Sequence, residues 1–450
     1  MLERKDGSAW AMVGPGLAML LAALGTSAAN VALPDIAADL GASVHRVQWV
    51  VIGYLLALTV AAVEAGRLGD RFGHRRMLLA GVALFAVAAG LAAAAPTLQI
   101  LVAARIMQGA GAALMMVLPL ALLRGAVAPA RLGQAMGVMG TMSAIGTALG
   151  PSLGGLILAG AGWRAMFVAL ATAGGAALAL LTGLPKQARS PAARVPPAYG
   201  ATVVFALAVS AYALAMTAGG VLALPALAAA IGLGLVFRQL DRHAAAPLLP
   251  REELADPVLR ASLAMNAIVG AVMMTTLVVG PFYLIQGLGL NALQVGLVMS
   301  AGPVLSALSG VPAGRIVDRL GAPAVIRLAL LAMIIGAVGL AGLPGWLGLA
   351  GYLVSIAVLT PAYQMFLAAN TTQSMCRAGE ARRGAVSGLL GLSRNLGLIT
   401  GAALMGAVFA SAAVGGAAVG MQVTFGLAAG LLILARLFAG VHAQERDHPA

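Results

Sequence analysis

Apolar residues run almost unbroken for stretch after stretch of this chain, and polar residues collect in short breaks between the runs. A helix needs about 20 apolar residues, at 1.5 Å rise each, to cross a hydrocarbon core of roughly 30 Å. Fourteen windows meet that requirement, near residues 11–33, 47–65, 77–95, 98–123, 135–159, 163–184, 199–217, 221–238, 259–286, 292–313, 325–342, 346–370, 384–410 and 419–438. The runs are continuous rather than alternating, and each is longer than the ~9–11 residues of a barrel strand, so membrane helices are predicted. The first run, followed by thirteen more, reads as a retained helix and not as a cleaved signal peptide.

Composition agrees: 61% hydrophobic and 9% charged residues with a mean hydropathy of +0.99 exclude an ordinary soluble domain. The charges that remain are placed unevenly. With the N-terminus inside, 23 of the 27 basic residues fall in inside segments and two, Arg46 and Arg164, fall outside, while Arg105 and Arg394 lie within helices. That imbalance predicts both termini on the cytoplasmic side of a multi-pass membrane protein, and a bacterial cell (inner) membrane is the expected location. The net charge of +13 is thus a topology signal, and no nucleic-acid partner is expected. The single cysteine, Cys376, allows no intrachain disulfide, and no metal site is expected.

The break after the second run reads GRLGDRFGHRR, Gly66 to Arg76, and GRIVDRLG at Gly314 repeats its form G-R-x-x-D-R-x-G after the tenth. The chain therefore contains two related six-helix sets, residues 1–198 and 259–450. Between them, at 199–258, lies an extra helix pair, preceded by the polar linker PKQARSPAARVPP (185–197) and followed by RQLDRHAAAPLLPREELADP (238–257). In the loops, Gly66 and Gly73 permit tight turns and Asp70 sits among Arg67, Arg71 and Arg75, with Gly314, Arg315, Asp318 and Arg319 in the copy. Such charges either form a cytoplasmic gate that opens and closes as two bundles rock, or mark topology alone.

Within the spans, an arginine is costly unless it meets a partner or water. Arg105 shares a helix face with Gln108 and is a candidate for a substrate or proton pathway, or for a static bridge between helices. Arg394, near mid-depth and flanked on its face by Gly391 and Gly401, lines a cavity, locks helices or serves in packing. Glu64 is the acid placed inside an apolar run; it carries protons, snorkels to the cytoplasm, or pairs with the arginines of the next loop. Asp35 and Asp39 lie at or beyond the outer end of the first helix and are expected to be solvated. In the fifth helix, GTMSAIGTALGPSLGGLI places Gly146, Gly150 and Gly154 four apart beside Pro151 and Gly155, a pattern that lets helix backbones touch.

Taken together, the Gly66–Arg76 loop, the Gly-Pro-x-x-Gly-Gly element, Arg105 with Gln108-Gly109, NVALP at Asn30 and QWVVIGYLLAL at Gln48 resemble the major facilitator superfamily, and within it the drug/proton antiporters of fourteen spans. The resemblance covers essentially the whole chain. It implies an all-α integral membrane fold of two six-helix bundles plus two extra helices, and multidrug efflux by alternating access. It also implies proton coupling, no cofactor, and small molecules and the lipid bilayer as partners of a monomer. Asn30 joins the pathway candidates on this ground. One departure matters: Gly25 stands where the family usually has an aspartate, five residues before Asn30.

With Arg105 and Arg394 in place and no deep acid evident, neutral, amphipathic or anionic substrates are expected. The methionines, among them Met115, Met116, Met273, Met274 and Met365, line an adaptable pocket or serve as packing filler. The chain shows no nucleotide-binding G-x-x-x-x-G-K-[ST] loop and no paired carboxylates, His cluster or Ser/His/Asp set at a membrane surface. Neither an ATP-driven pump nor a membrane enzyme is expected. The remaining alternative is a dedicated exporter or facilitator of one metabolite or natural product.

Overall fold

A computed structural model of the chain describes residues 6–126, 129–182, 199–217, 220–242, 255–377 and 383–439. The linker 185–197, most of the second linker and the tail from residue 442 lie outside them. The described residues are helical almost throughout, as the continuous apolar runs require: inside a bilayer a backbone must satisfy its own hydrogen bonds, and a helix does so locally.

The first half comprises α1 (Asp6–Val31), two short helices α2 (Leu33–Asp39) and α3 (Val44–Val47), then α4 (Trp49–Phe72), α5 (His74–Ala93), α6 (Leu98–Ala126) and α7 (Pro129–Thr182). The extra pair is α8 (Tyr199–Thr217) and α9 (Ala223–Arg242). The second half comprises α10 (Pro257–Gln286), α11 (Ala292–Leu320), α12 (Ala322–Arg377), α13 (Arg383–Thr400), a π-helical turn at Gly401–Met405, α14 (Gly406–Ala412) and α15 (Ala417–Phe438).

Among the described residues, twelve helical stretches are long and apolar enough to cross a membrane. Two of them are helical hairpins in disguise. Unbroken, the 54 residues of α7 would run about 80 Å, far more than a bilayer. Its helix is interrupted by Gly162 (φ 76°), and α12 is interrupted by Gly348 (φ 54°). Around Gly348 the chain folds back: Gly336 packs on Leu359, Gly339 on Ser355 and Gly351 on Leu343. Each interrupted helix thus has two limbs, 129–161 and 163–182 in α7 and 322–347 and 349–377 in α12, which makes fourteen straight apolar stretches.

The duplication extends to backbone conformation. Gly73 and Gly321 close the two G-R-x-x-D-R-x-G segments, and both take a left-handed φ, 96° and 78°. Each accepts the end of one helix and starts the next: Gly73 N–H donates to Gly69 O and Gly321 N–H to Val317 O, at 2.8 and 2.9 Å. Gly41 and Gly289, at φ 56° and 68°, end the preceding connection of each half. Both pairs are 248 residues apart (321 minus 73; 289 minus 41).

Candidate functional site

The fifth helix of each half is the structural key to the site. In the limb 129–161, Gly146 lies against Leu20 O and Gly150 against Ser27 and Ala28 of α1, so close that a Cβ at either position would overlap them. The second half repeats this contact: Gly397 lies on Ala267 O and Gly401 on Ala271 O of α10. Small residues one turn apart let backbones meet where a bilayer supplies no hydrophobic drive to join helices. Pro151 and Gly155 face another way, toward the second half, where Gly155 packs on Gly296 of α11 and Gly296 on Pro151 O. The Gly-Pro-x-x-Gly-Gly element therefore does two things, zipping its helix to α1 on one face and touching the partner half on the other. Sequence reasoning placed Gly401 beside Arg394 but missed Gly397 and the contact both make with α10, although the Gly-x-x-x-Gly spacing was there to be found.

Arg105 is completely buried. Its Nε donates to Val50 O at 3.0 Å, its Nη1 to Gln108 Oε1 at 2.6 Å, and its guanidinium stacks over the Tyr54 ring at 4.2 Å. Nη2 of Arg105 and Nε2 of Gln108 are buried with no partner. Arg105 and Gln108 thus meet as their spacing predicts, but they sit sealed between helices and open to no pathway in this conformation. Asn30 is equally enclosed, its Nδ2 donating to Thr26 O and its Oδ1 unpartnered. Of the methionines, Met115 and Met274 are buried in the core and act as packing.

Arg394 behaves differently. It is exposed at mid-depth on α13, beside Tyr363 of α12, and shares its helix face with Gly388, Gly391 and Asn395. A guanidinium within an apolar span is costly unless it meets water or a partner.

Glu64 is nearly buried, accepting from Arg67 Nη1 at 2.9 Å and from the Thr202 hydroxyl of α8. At its other end α8 reaches the second half, where Tyr212 bonds Thr400 at 2.7 Å. Thr400 gives its own hydrogen to Leu396 O, so the Tyr212 hydroxyl is the donor. The extra helix is stitched by one hydroxyl to each half and covers the seam between α4 and α13. Its companion α9 is largely exposed on its outer side, as a lipid-facing helix would be.

At the opposite end from Asp39, three gate candidates of the first half make contacts within that half. Asp70 pairs with His74 at 3.1 Å, Arg75 Nη2 donates to Thr182 O at 2.6 Å, and Arg71 stacks over Phe72. Among the described residues, Arg315, Asp318 and Arg319 make no hydrogen bond or ion pair and are exposed. Gly66 and Gly314 have open space around them. The opposite end is tied down: Asp39 Oδ2 accepts from Arg164 Nη1 at 2.6 Å and Trp163 Nε1 at 3.1 Å. Those bonds hold the Asp39 carboxyl below the usual carboxylate range. Asp35 was expected to be solvated; instead it is half-buried, one of its oxygens is sealed without a partner, and burial raises its pKa. Both acids border a crevice of about 490 Å³ that also includes Leu158 and Trp163.

Two pseudo-equivalent helix bundles, zipped first helix to fifth and meeting at one end, define a membrane transporter of the two-bundle type. Comparison with known proteins gives the family. The family model described as "Major Facilitator Superfamily" matches residues 16–402, and the chain belongs to that superfamily. It is 30% identical over 392 residues to the uncharacterized transporter YebQ of Escherichia coli (strain K12), covering 86% of this chain and 85% of that one. It is also 30% identical over 421 residues to the drug efflux pump JefA of Mycobacterium tuberculosis, covering 89% and 80%. Its fold matches a bacterial homolog of the human lysosomal transporter Spinster, crystallised inward-facing and unoccupied, at a TM-score of 0.73 and 15% identity over 99% of both chains.

Proposed function

We propose that the chain exports small amphipathic molecules, neutral or anionic, by alternating access between its two halves, and that protons drive the export. The observation that carries the substrate class is Arg394, exposed on α13 with Tyr363 beside it. A permanent cation entering there would lose hydration and gain no counter-charge, whereas a carboxylate or a polar neutral group gains a donor. The resemblance to a drug efflux pump supports export of more than one compound. In this reading the domains divide at 1–198, 199–258 and 259–450, and the fourteen stretches are fourteen spans of one monomer in a bacterial inner membrane. The basic loops and both termini face the cytoplasm, in keeping with the distribution of arginine. The Gly66–Arg76 and Gly314–Gly321 segments, helix ends that turn at Gly73 and Gly321, then form a cytoplasmic gate. Glu64 is the proton-bearing group; its contacts with Arg67 of the gate and Thr202 of the seam helix would carry a change of charge to both.

One observation favours a second reading, a dedicated exporter of a single compound without proton coupling. Gly25 stands where the related antiporters have an aspartate, and a Cβ there would lie 2.8 Å from the edge of the Phe85 ring. The space for a titrating side chain is filled.

Flux in proteoliposomes tests both, using cationic, neutral and anionic amphiphiles with and without an imposed pH gradient. Gradient-driven movement of several neutral or anionic compounds, with the drive lost in Glu64→Gln, is the expected result. Preferential export of quaternary ammonium dyes would refute the substrate class. Movement of one compound indifferent to pH would establish the second reading.

A further inference from the structure

The two halves meet at the end away from the basic loops through a pair of contacts that are equivalent under the internal repeat. In one, Gly155 of the first half's fifth helix lies on Gly296, near the start of the second half's second helix; a Cβ on either would meet the other's Cα at 2.5–2.6 Å. In the other, Gly406, which opens α14 of the second half's fifth helix, lies on Gln48 at the start of α4. Gln48 and Gly296 are 248 residues apart, matching the 248 of the loop repeat (296 minus 48), and Gly155 and Gly406 are 251 apart, matching the fifth-helix pair Gly146 and Gly397 (406 minus 155; 397 minus 146).

The equivalence is broken at one position: where α11 offers Gly296, α4 offers Gln48. Its side chain is completely buried and fills the space above Gly406, so that a Cβ on Gly406 would overlap the amide. Both polar atoms of that amide, Nε2 and Oε1, are buried with no hydrogen-bond partner. A buried amide without partners is paid for in full by the state that buries it, and opening the contact to water restores its hydrogen bonds. The π-helical turn Gly401–Met405 directly before Gly406 sets the notch that receives it. Such turns recur at functional sites in helices.

We propose that Gln48 seated on Gly406 is the far-end gate of the transporter, a knob in a notch whose unsatisfied amide keeps the closed state only weakly preferred, while the Gly155–Gly296 contact is the tighter pivot. The proposal rests on the alternating-access reading, and the test separates the two. Spin labels are placed at Ser43→Cys and Ser411→Cys, both exposed and one in each half, in a Cys376→Ser background, and the distance between them is measured by pulsed electron resonance in the full-length protein in lipid. Two exchanging distances are expected. Gln48→Met keeps the shape and removes the orphaned amide, and should raise the short-to-long ratio roughly tenfold. Gly406→Leu fills the notch and should lower it by a similar factor, and Gln48→Ala with Gly406→Leu, which moves the knob to the other half, should bring it back. If the two single changes shift the ratio in the same direction, or the double change restores nothing, the gate is overturned while alternating access stands. One unchanging distance in every variant, with and without transported compounds, would overturn both.

Discussion

The glycines of the Gly-Pro-x-x-Gly-Gly element are not equivalent, and alanine at each separates packing from family signature. At Gly150 a Cβ would overlap Ser27 Oγ, stand 2.7 Å from Ser27 Cβ and stand 2.9 Å from the backbone N of Ala28. The hydroxyl can rotate away, but the backbone cannot, so α1 must retreat by about half an ångström to reach ordinary contact. Overpacking of this kind costs about 1–3 kcal/mol, and alanine's advantage over glycine in a helix offsets ~0.5–1 kcal/mol of it. Gly150→Ala should therefore lower stability by about 1–2 kcal/mol. At Gly154 the nearest atom to a Cβ is Ala28 O at 3.2 Å, which asks for a few tenths of an ångström, so Gly154→Ala should be neutral. The assay is the heat-unfolding midpoint of the purified protein in detergent, with Ser27→Gly as the second arm of a double-mutant cycle. Removing the Ser27 side chain takes away two of the three close atoms and should recover roughly half of the loss at Gly150. Equal damage at Gly150 and Gly154, or no recovery with Ser27→Gly, would refute the packing argument.

Other substitutions follow from the same geometry. Gly73→Ala forces an L side chain into a left-handed φ of 96° and should cost about 1–2 kcal/mol, while Gly66→Ala, with open space around it, should leave the unfolding midpoint unchanged. Because the Asp39 pKa is depressed in the folded protein, its tie to Arg164 and Trp163 contributes stability above the ordinary carboxyl value near 3.8 and loses it as pH falls below that value. Fluorescence of Trp163, taken as the difference from Trp163→Phe, should shift below pH 3.8 and show no such step in Asp39→Asn. Arg394→Ala should reduce flux of anionic compounds by about tenfold or more and leave neutral ones nearly unchanged, with Arg394→Lys partly restoring it; equal loss for both classes would make the residue a packing element.

Much of this architecture is written in the chain. The hydropathy runs coincide with the long apolar helical stretches among the described residues, and the repeated G-R-x-x-D-R-x-G segment announces two halves whose turn glycines are both left-handed. What the sequence hides is which polar residue meets which. Arg105 and Arg394 look alike in sequence, each a lone arginine in an apolar helix; one is sealed against Val50 and Gln108 and the other is exposed on α13 beside Tyr363. Nothing local distinguishes them, since the difference lies in the neighbouring helices. Glu64 and Thr202 are 138 residues apart, and only the docking of α8 on the seam joins them. The contact between Gln48 and Gly406 is invisible for the same reason.

If the chain works by the proposed alternating access, α8 constrains how its halves can rock. Here Thr202 holds Glu64 of the first half and Tyr212 holds Thr400 of the second, on one helix whose two hydroxyls are about 15 Å apart along its axis. When the halves rock, the two anchor points shift relative to each other, and a helix cannot stretch. One bond must break, or α8 must ride with one half and slide along the other. Phe205 against Phe237 ties α8 to its companion α9, so a sliding helix carries its neighbour with it. Thr202→Val with Tyr212→Phe removes both stitches at almost constant volume. If they restrain rocking, turnover should rise while the dependence on Glu64 weakens. An unchanged rate with full dependence on Glu64 would make the pair a passive cover over the seam.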